Sequence, residues 1–210
     1  MSGLTEACGR LHGLARSRPR WHAPFEKSHL PTDGLYLVFE RGEQAHGGDR
    51  IVRVGSHTGA GTLHSRLNEH FARENKDRSI FRKNIGRALL SRDRDPYLEV
   101  WEKDMTSRVA RERPPQGYDA ERQHQVEGAV SQHLRTNFSI AVIPIPRLQE
   151  RKELERRIAS LLFACPECSP SDSWVGRHSP KDLIRESGLW QVNGLKGEAI
   201  SLGEIEELWL

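Results

Sequence analysis

Four side chains that could together hydrolyse a phosphodiester bond occur along the sequence in the order Tyr36, Arg66, His70 and Glu155. Such hydrolysis needs a water that loses a proton and charge stabilisation on the phosphate. The planar guanidinium of Arg66 suits a phosphate oxygen because it donates in a fork and stays charged. His70 can move a proton near neutral pH, and Glu155 can hold one hard divalent ion. Arg66 and His70 are four residues apart, so they would share one helix face.

Each of these residues alone has an ordinary structural explanation. Tyr36 is typical of a strand aromatic, and Arg66 with His70 is typical of a solvated helix face. Glu155, beside Arg156, is typical of a surface ion pair. The set therefore indicates a catalytic site only through its order and spacing.

Basic residues are concentrated between Thr62 and Arg94. That segment contains nine Lys and Arg residues against four Asp and Glu residues, although the net charge of the whole chain is only +3. Such an excess can neutralise phosphates and release counterions, as nucleic-acid binding requires. A solvated, salt-bridged helix face explains the same charges, so both interpretations stay open.

The composition predicts a water-soluble globular protein with one sizeable core. The chain has 210 residues, of which 36% are hydrophobic and 29% charged. No stretch approaches the roughly 20 apolar residues of a membrane-spanning helix, and the N-terminus does not read as a secretory signal. Three cysteines, an odd number, fit a reducing compartment. We therefore expect a cytoplasmic protein that does not bind membranes.

A short sheet and its neighbouring helices must position the candidate residues. The predicted strands cover residues 35–39, 50–55, 97–101 and 138–145. The first two are joined by a hairpin at 42–48, and Thr62 can cap the helix that carries Arg66. Further helices are predicted at 79–91, 121–136, 148–163 and 181–186, with an acidic helix at the C-terminus. In helix 79–91 the apolar residues, among them Ile80, are expected to face inward and the basic residues outward.

This order of elements and side chains resembles the GIY-YIG nuclease family. Gly34-Leu35-Tyr36 stands at the first signature of that family, and Arg53-Val54-Gly55 stands at the second in a divergent form. The helix with Arg66 and His70 is similar to the family's helix that carries an Arg and a His. The segment Leu154-Glu155-Arg156 is similar to the helix that carries the metal-binding Glu. The resemblance covers about residues 33–176.

The resemblance implies a metal-dependent endonuclease whose expected substrate is DNA. Glu155 would bind one Mg²⁺ or Mn²⁺ ion, Arg66 would grip the phosphate, and His70 would assist. Tyr36 would act as the general base or orient the attacking water, which requires the metal or Arg66 to lower its ordinary pKa of about 10. The residues expected to contact nucleic acid are Arg53, His57, Arg78, Arg82, Lys83 and Arg87.

The chain departs from the family pattern at two positions. Arg53 adds a cation where the second signature usually begins with Tyr. His57 and His64 lie in or beside the following loop, where they are exposed or substitute for that phenol. The Asn that the family often has beyond its metal-binding Glu is best matched by Ser173.

Cys165-Pro166-Glu167-Cys168 is a closely spaced pair of thiols. A structural zinc ion needs four ligands. Cys8 and His178 are the conceivable additions, and nothing in the sequence places them nearby. We therefore prefer a packed or turn-forming pair, and a zinc-stabilised interaction protein remains an alternative.

These observations predict an α/β (α+β) fold in which a small mixed or antiparallel sheet is flanked by helices. Residues 1–30 are expected to form an N-terminal arm, 31–176 the nuclease domain, and 177–210 a C-terminal extension. An exposed insertion is expected near 105–117. The alternative function is a catalytically impaired nucleic-acid-binding module of the same fold. DNA or RNA as substrate, site- or structure-specific cleavage, and the oligomeric state stay open.

Overall fold

Three antiparallel strands form the sheet at the centre of the molecule. The computed structural model describes residues 3–208, without the side chain of Arg111. Strands β1 (Gly34–Ala45), β2 (Gly48–Gly55) and β3 (Phe138–Pro144) are arranged in the order β2-β1-β3. Tyr36 on the central strand lies opposite Gly55 on one side and Val142 on the other. The predicted fold class, a small antiparallel sheet flanked by helices, is confirmed.

Helices cover both faces of this sheet. They are α1 (Gly3–Ser17), α2 (Leu63–Phe71), α3 (Ile80–Arg92), α4 (Leu98–Trp101), α5 (Arg108–Glu112), α6 (Ala120–Asn137), α7 (Leu148–Ala164), α8 (Asp182–Ser187) and α9 (Leu202–Glu207). Among the residues that the structure describes, no helix combines the length and the apolar character that crossing a membrane requires.

The alternation of side chains along β1 divides the interior into two cores. Tyr36 and Val38 point to one face and pack in a cluster with residues of α2, α3 and α6. Leu35 and Leu37 point to the other face and pack in a cluster with residues of α1 and α7. Because β1 is buried on both faces, its first seven residues are all buried, which explains the compact apolar run in the sequence.

Other segments cover both edges of the sheet. Trp21 pairs with Ile140 of β3 through two backbone hydrogen bonds of 3.0 and 2.9 Å. At the opposite edge, the backbone N–H of Trp190 donates to the carbonyl of Val52 in β2 at 2.8 Å. At each edge another segment therefore occupies part of the strand where another chain could pair.

A buried carboxylate on β1 anchors the C-terminal segment. Glu40 Oε2 accepts hydrogen bonds from the indole N–H groups of Trp174 at 2.8 Å and Trp190 at 2.7 Å. The two indole rings lie 4.9 Å apart. Burying this carboxylate is tolerated because both indoles satisfy it.

The expected N-terminal arm is mostly helical. Helix α1 buries Cys8, Leu11 and Ala15 in the core cluster that it shares with α7, so residues 3–17 belong to the packed fold. The buried face of α1 is not evident from the sequence, because most of its residues are small or polar, including His12. The proposed domain boundaries at residues 30 and 176 stay predictions.

The predicted strand at Tyr97–Trp101 is wrong, because this segment contains helix α4. Its aromatic and β-branched residues favour a strand, but the preceding Asp95-Pro96 starts a helical turn. The side chain of Asp95 accepts from the backbone N–H of Tyr97 at 2.9 Å. Trp101 then packs against Gly86 of α3 and donates from its indole to the carbonyl of Lys83 at 3.0 Å.

Candidate active site

Tyr36 lies at the end of the hairpin formed by β1 and β2, with its ring directly over Gly55. A Cβ atom at Gly55 would lie 2.3 Å from the hydroxyl oxygen of Tyr36 and 2.3 Å from its Cζ. Only a residue without a side chain therefore fits opposite the tyrosine. The ring is 1% exposed.

His70 of α2 connects Tyr36 to the start of α3. Its Nε2 lies 2.8 Å from the hydroxyl oxygen of Tyr36, and its Nδ1 lies 2.6 Å from Oγ of Ser79. Ser79 caps α3 by accepting from the backbone N–H of Arg82 at 3.2 Å. The three side chains thus form one continuous chain of hydrogen bonds.

Burial and nearby positive charges determine the charge state of this chain of hydrogen bonds. Burial lowers the pKa of His70 well below its usual value, and the charges of Arg53, Arg66 and Arg82 lower it further. His70 is therefore neutral at physiological pH, so one of its ring nitrogens donates and the other accepts. Burial raises the pKa of Tyr36, although the charges of Arg53 and Arg66 oppose that shift.

Glu155 reaches the same place from α7, on the other side of the sheet. Its side chain is partly exposed, and its Oε2 accepts a hydrogen bond from the hydroxyl of Ser56, the residue after β2. The negative charge of Glu155 adds to the rise in the pKa of Tyr36 that burial causes. A second contact from α7 is the hydrogen bond from Arg151 Nη2 to the carbonyl of His57 at 3.4 Å.

An open cleft of about 520 Å³ lies beside these groups and is lined by Ser56, Arg66 and Glu69, among others. Arg66 is about a quarter exposed there. Its Nη1 donates to Glu69 Oε2 at 2.8 Å and to the carbonyl of Arg78 at 3.2 Å. The structure therefore brings Arg66 and the partner of Glu155 together at one cleft. Tyr36 and His70 are buried and are not among the residues that line it.

Arg53 and His57, two residues expected to contact nucleic acid, are held inside the protein instead. Arg53 is buried and donates from Nη1 to the carbonyl of Trp190 at 2.5 Å. His57 accepts at Nε2 from the backbone N–H of Gly34 at 3.2 Å, and its Nδ1 lies 2.8 Å from the carbonyl oxygen of Gly59. Burial lowers the pKa of His57. Both side chains stabilise the loop and strand ends around the cleft.

The expected basic face of α3 is also mostly inside. Arg82 and Arg87 are buried, whereas Ile80, expected to face inward, is 47% exposed. Each buried arginine has a carboxylate partner: Arg82 Nη2 lies 2.7 Å from Glu127 of α6, and Arg87 Nε lies 2.6 Å from Glu102. The prediction of outward-facing basic residues is therefore wrong for these two arginines.

Arg78 and Lys83 were also expected to contact nucleic acid. Lys83 forms a salt bridge with Asp77 at 3.2 Å. The side chain of Arg78 is exposed, and its carbonyl binds Arg66. Arg78 and Arg66 therefore keep positive charge at the surface beside the cleft.

The segment after Trp190 is a part of the site that the sequence did not reveal. Gln191 Oε1 accepts from the backbone N–H of Val54 at 2.8 Å, which holds the segment against the end of β2. A Cβ at Gly194 would lie 3.2 Å from Cα of Arg156, so Asn193 lies close to the helix of Glu155. Nothing in the polar sequence after Trp190 signals this pairing.

Ser173, the expected match for the family's Asn, lies elsewhere. Its Oγ is 3.2 Å from that of Ser171, whose hydroxyl in turn binds Glu43 near the far end of β1. Tyr36 is seven residues away from Glu43 along that strand. Ser173 is therefore not part of the cleft.

A family model described as GIY-YIG domain matches residues 10–201. The chain belongs to the GIY-YIG family. Members of this family are generally endonucleases that hydrolyse phosphodiester bonds, so a nuclease-type function is indicated for this chain. Comparisons with curated proteins and with solved structures give no significant match.

Proposed function

We propose that this GIY-YIG protein is a divalent-metal-dependent endonuclease that cleaves DNA at the cleft between Arg66 and Glu155. One observation carries the proposal. Side chains of α2 and α7, which are far apart in sequence, both form hydrogen bonds at the end of the β1–β2 hairpin: His70 with Tyr36, and Glu155 with Ser56. A cation, a carboxylate and a phenol with a histidine partner are the groups that this hydrolysis needs.

Arg66 and Glu155 would handle the charge of the scissile phosphate. Arg66 is partly exposed, so its remaining donors can turn to a phosphate oxygen in place of Glu69. One partly exposed carboxylate with a neighbouring hydroxyl fits Mg²⁺ or Mn²⁺, because such ions keep several waters and need only one or two carboxylates. When bound, the ion would polarise the phosphate and lower the pKa of the attacking water.

Tyr36 and His70 would position that water. With Nδ1–H of His70 donating to Ser79, its Nε2 accepts from the Tyr36 hydroxyl. The oxygen of Tyr36 therefore keeps a lone pair that would accept a hydrogen bond from the attacking water and orient it. The water oxygen would form the new bond to phosphorus as the bond from phosphorus to the leaving oxygen breaks, while the water loses its proton to solvent and the leaving oxygen takes one up. The family often has an Asn beyond its metal-binding Glu, and the sequence suggested Ser173 for it. Asn193, next to α7, would take that role instead.

A second candidate function is nucleic-acid binding without cleavage. Two observations favour it: Tyr36 and His70 are almost fully buried, and Arg53 lies where the family usually has a second tyrosine. In that case Arg66 and exposed Arg78 would contact the phosphate backbone, and the Tyr36–His70 pair would be structural.

Glu155→Gln separates the two functions. The enzyme hypothesis predicts cleavage of plasmid and branched DNA in Mg²⁺ or Mn²⁺, and a decrease of at least about 100-fold in the variant, because a metal ion contributes several kcal/mol of charge stabilisation. The affinity for DNA, measured by a gel-shift assay in Ca²⁺, should change little. Cleavage is followed as the single-turnover rate.

The matched control is Glu153→Gln, two residues earlier on α7, where the glutamate is exposed and pairs with Arg156 at 2.5 Å. It should cleave like the unmodified protein. Cleavage that survives unchanged in Glu155→Gln would refute the assigned mechanism. DNA binding by the unmodified protein with no cleavage in either metal would establish the second function.

A further inference from the structure

A second group of metal-binding side chains lies at the other end of β1. Cys8 of α1, His46 in the β1–β2 turn, and Cys165 and Cys168 after α7 place one ligand atom each within 4.8 Å of one another. The three cysteines are buried and free. Tyr36 and His46 are ten residues apart, so at about 3.3 Å per residue this group lies roughly 30 Å from the cleft.

The separations within the group match those of ligands around one tetrahedral ion. Zinc bonds of about 2.3 Å to sulfur and about 2.0–2.1 Å to nitrogen place tetrahedral ligands about 3.8 Å apart for two sulfurs and about 3.6 Å for sulfur and nitrogen. Here Cys8 Sγ and Cys168 Sγ are 3.3 Å apart. His46 Nε2 lies 3.4 Å from Cys165 Sγ and 3.6 Å from Cys168 Sγ. A disulfide would need sulfurs about 2.05 Å apart.

The orientation of His46 favours metal binding. Its Nδ1 lies 3.1 Å from a carboxylate oxygen of Glu167, which keeps the proton on Nδ1 and points the lone pair of Nε2 at the sulfurs. A carboxylate behind a histidine in this way is typical of metal-binding histidines. Glu167 lies between Cys165 and Cys168, so one short loop supplies two sulfurs and the group that orients the imidazole.

The backbone around His46 is arranged to place this imidazole. His46 and Gly47 have φ angles of 49° and 74°, which form a tight hairpin turn, and a positive φ is uncommon for a residue other than glycine. Gly9 of α1 leaves room for the ring, because a Cβ there would lie 3.3 Å from Nδ1 of His46. Arg16 holds the turn by donating to the carbonyl of His46 at 2.9 Å.

His12 lies beside the group but is not one of its four potential ligands. Its Nε2 accepts from the backbone N–H of Ile51 at 3.1 Å, which occupies the lone pair that a metal would need. Its Nδ1 lies 2.9 Å from the carbonyl oxygen of Cys8 and so donates to it.

We propose that Cys8, His46, Cys165 and Cys168 bind one structural zinc ion. Three sulfurs and one imidazole nitrogen select zinc over Mg²⁺ or Mn²⁺, which prefer oxygen. Four protein ligands complete a tetrahedron and leave no open position for water or substrate, so the role is structural. The ion would fasten α1 and the hairpin turn to the end of α7. Of the two additions that the sequence offered, Cys8 belongs to this group, and His46 takes the place considered for His178.

Metal analysis of the purified, untagged chain tests this proposal. We expect one zinc ion per chain in protein prepared under reducing conditions. When the metal is removed and replaced by Co²⁺, we expect the visible spectrum of tetrahedral cobalt and a thiolate-to-cobalt charge-transfer band. This measurement uses the unmodified protein, so it does not depend on whether any variant folds.

Three variants refine the test. His46→Asn keeps a residue that tolerates positive φ and should abolish zinc binding. Glu167→Gln, at a half-exposed side chain, should weaken zinc affinity by about 10- to 100-fold, as loss of a carboxylate behind a metal-binding histidine does. His178→Gln is the control, since His178 is exposed and outside the group, and it should keep the full zinc content.

Folded protein that takes up neither zinc nor cobalt would overturn the proposal. So would a cobalt spectrum without the thiolate band, or a zinc content that is unchanged in His46→Asn. None of these measurements involves DNA cleavage, so a failure here and a failure of the proposed nuclease function are distinguishable.

Discussion

Tyr36 reaches its position because the residue opposite it has no side chain. Its ring occupies the space that a Cβ at Gly55 would need, and its hydroxyl is then directed at His70. The glycine of the second signature is thus explained by packing, independently of any chemistry. Arg53, two residues earlier, contributes a positive charge that opposes the rise in the pKa of Tyr36.

Gly55→Ala should destabilise the protein by about 1–3 kcal/mol, the usual cost of inserting a methyl group into a packed site. Displacement of the Tyr36 ring should also lengthen its hydrogen bond to His70. Urea denaturation gives the free energy of unfolding. Gly128→Ala is the control, since this helical glycine has no heavy atom within 4 Å of its would-be Cβ and should gain about 0.5–1 kcal/mol. Equal effects at the two positions would contradict this account of Gly55.

At the scale of helices and strands, α3 shows why a basic segment is not in itself a nucleic-acid surface. Arg82 donates to the carboxylate of Glu127, to its carbonyl at 3.0 Å and to Ser131 at 2.9 Å, and so ties α3 to α6. Arg87 similarly joins α3 to Glu102 beyond α4. Both guanidinium groups are buried against carboxylates, so neither is presented to a phosphate at the surface.

Removing the buried carboxylate that pairs with Arg82 should therefore lower the free energy of unfolding. DNA binding by the protein that remains folded should be unchanged. Glu127→Gln should cost about 3–5 kcal/mol, because it leaves the Arg82 charge buried without its counterion. Chemical denaturation measures this loss.

Arg78→Ala provides the contrast, because its side chain is exposed and only its backbone carbonyl binds Arg66. It should change stability by less than about 0.5 kcal/mol and reduce the slope of log affinity against log salt by about one phosphate contact. A large loss of stability in Arg78→Ala, or none in Glu127→Gln, would show that these two arginines have been assigned the wrong environments.

Local patterns in the sequence were sufficient to predict most of the helices and strands. The strand at Gly34, the helix of Arg66 and His70, and the helix of Glu155 were all predictable from apolar spacing and from resemblance to the GIY-YIG family. The orientation of α3 was not, because it depends on carboxylates of Glu102 and Glu127 that are distant in sequence. The ligand His46 was hidden for the same reason, since only folding brings a hairpin turn next to Cys8 and Cys168.

At the scale of the whole molecule, the buried histidines link folding to pH. His70 has its folded pKa well below that of an unfolded histidine, about 6.5, and His57 is also lowered. As pH falls below about 6.5, these histidines bind protons in the unfolded chain but stay neutral in the native protein. The stability that neutral His70 contributes is therefore complete above about pH 6.5 and is lost as pH falls toward its folded pKa.

His70→Gln should reduce this dependence. One linked proton changes the free energy of unfolding by up to about 1.4 kcal/mol per pH unit, so the slope between about pH 5 and pH 6.5 should be shallower in the variant by up to that amount. Denaturation series at several pH values measure both slopes. His124→Gln, at a side chain that is 78% exposed, serves as the control and should keep the original slope. Identical slopes for all three proteins would mean that His70 binds a proton as readily in the native state as in the unfolded state.

The two indoles that share Glu40 have a consequence for how this protein can be observed. Trp174 and Trp190 lie 4.9 Å apart and both donate to one carboxylate on the central strand. Detachment of the C-terminal segment from β1 would expose both rings to water and separate them at once. Their intrinsic emission therefore reports whether the segment that carries Gln191 and Asn193 is docked, with no label attached and no measurement of cleavage.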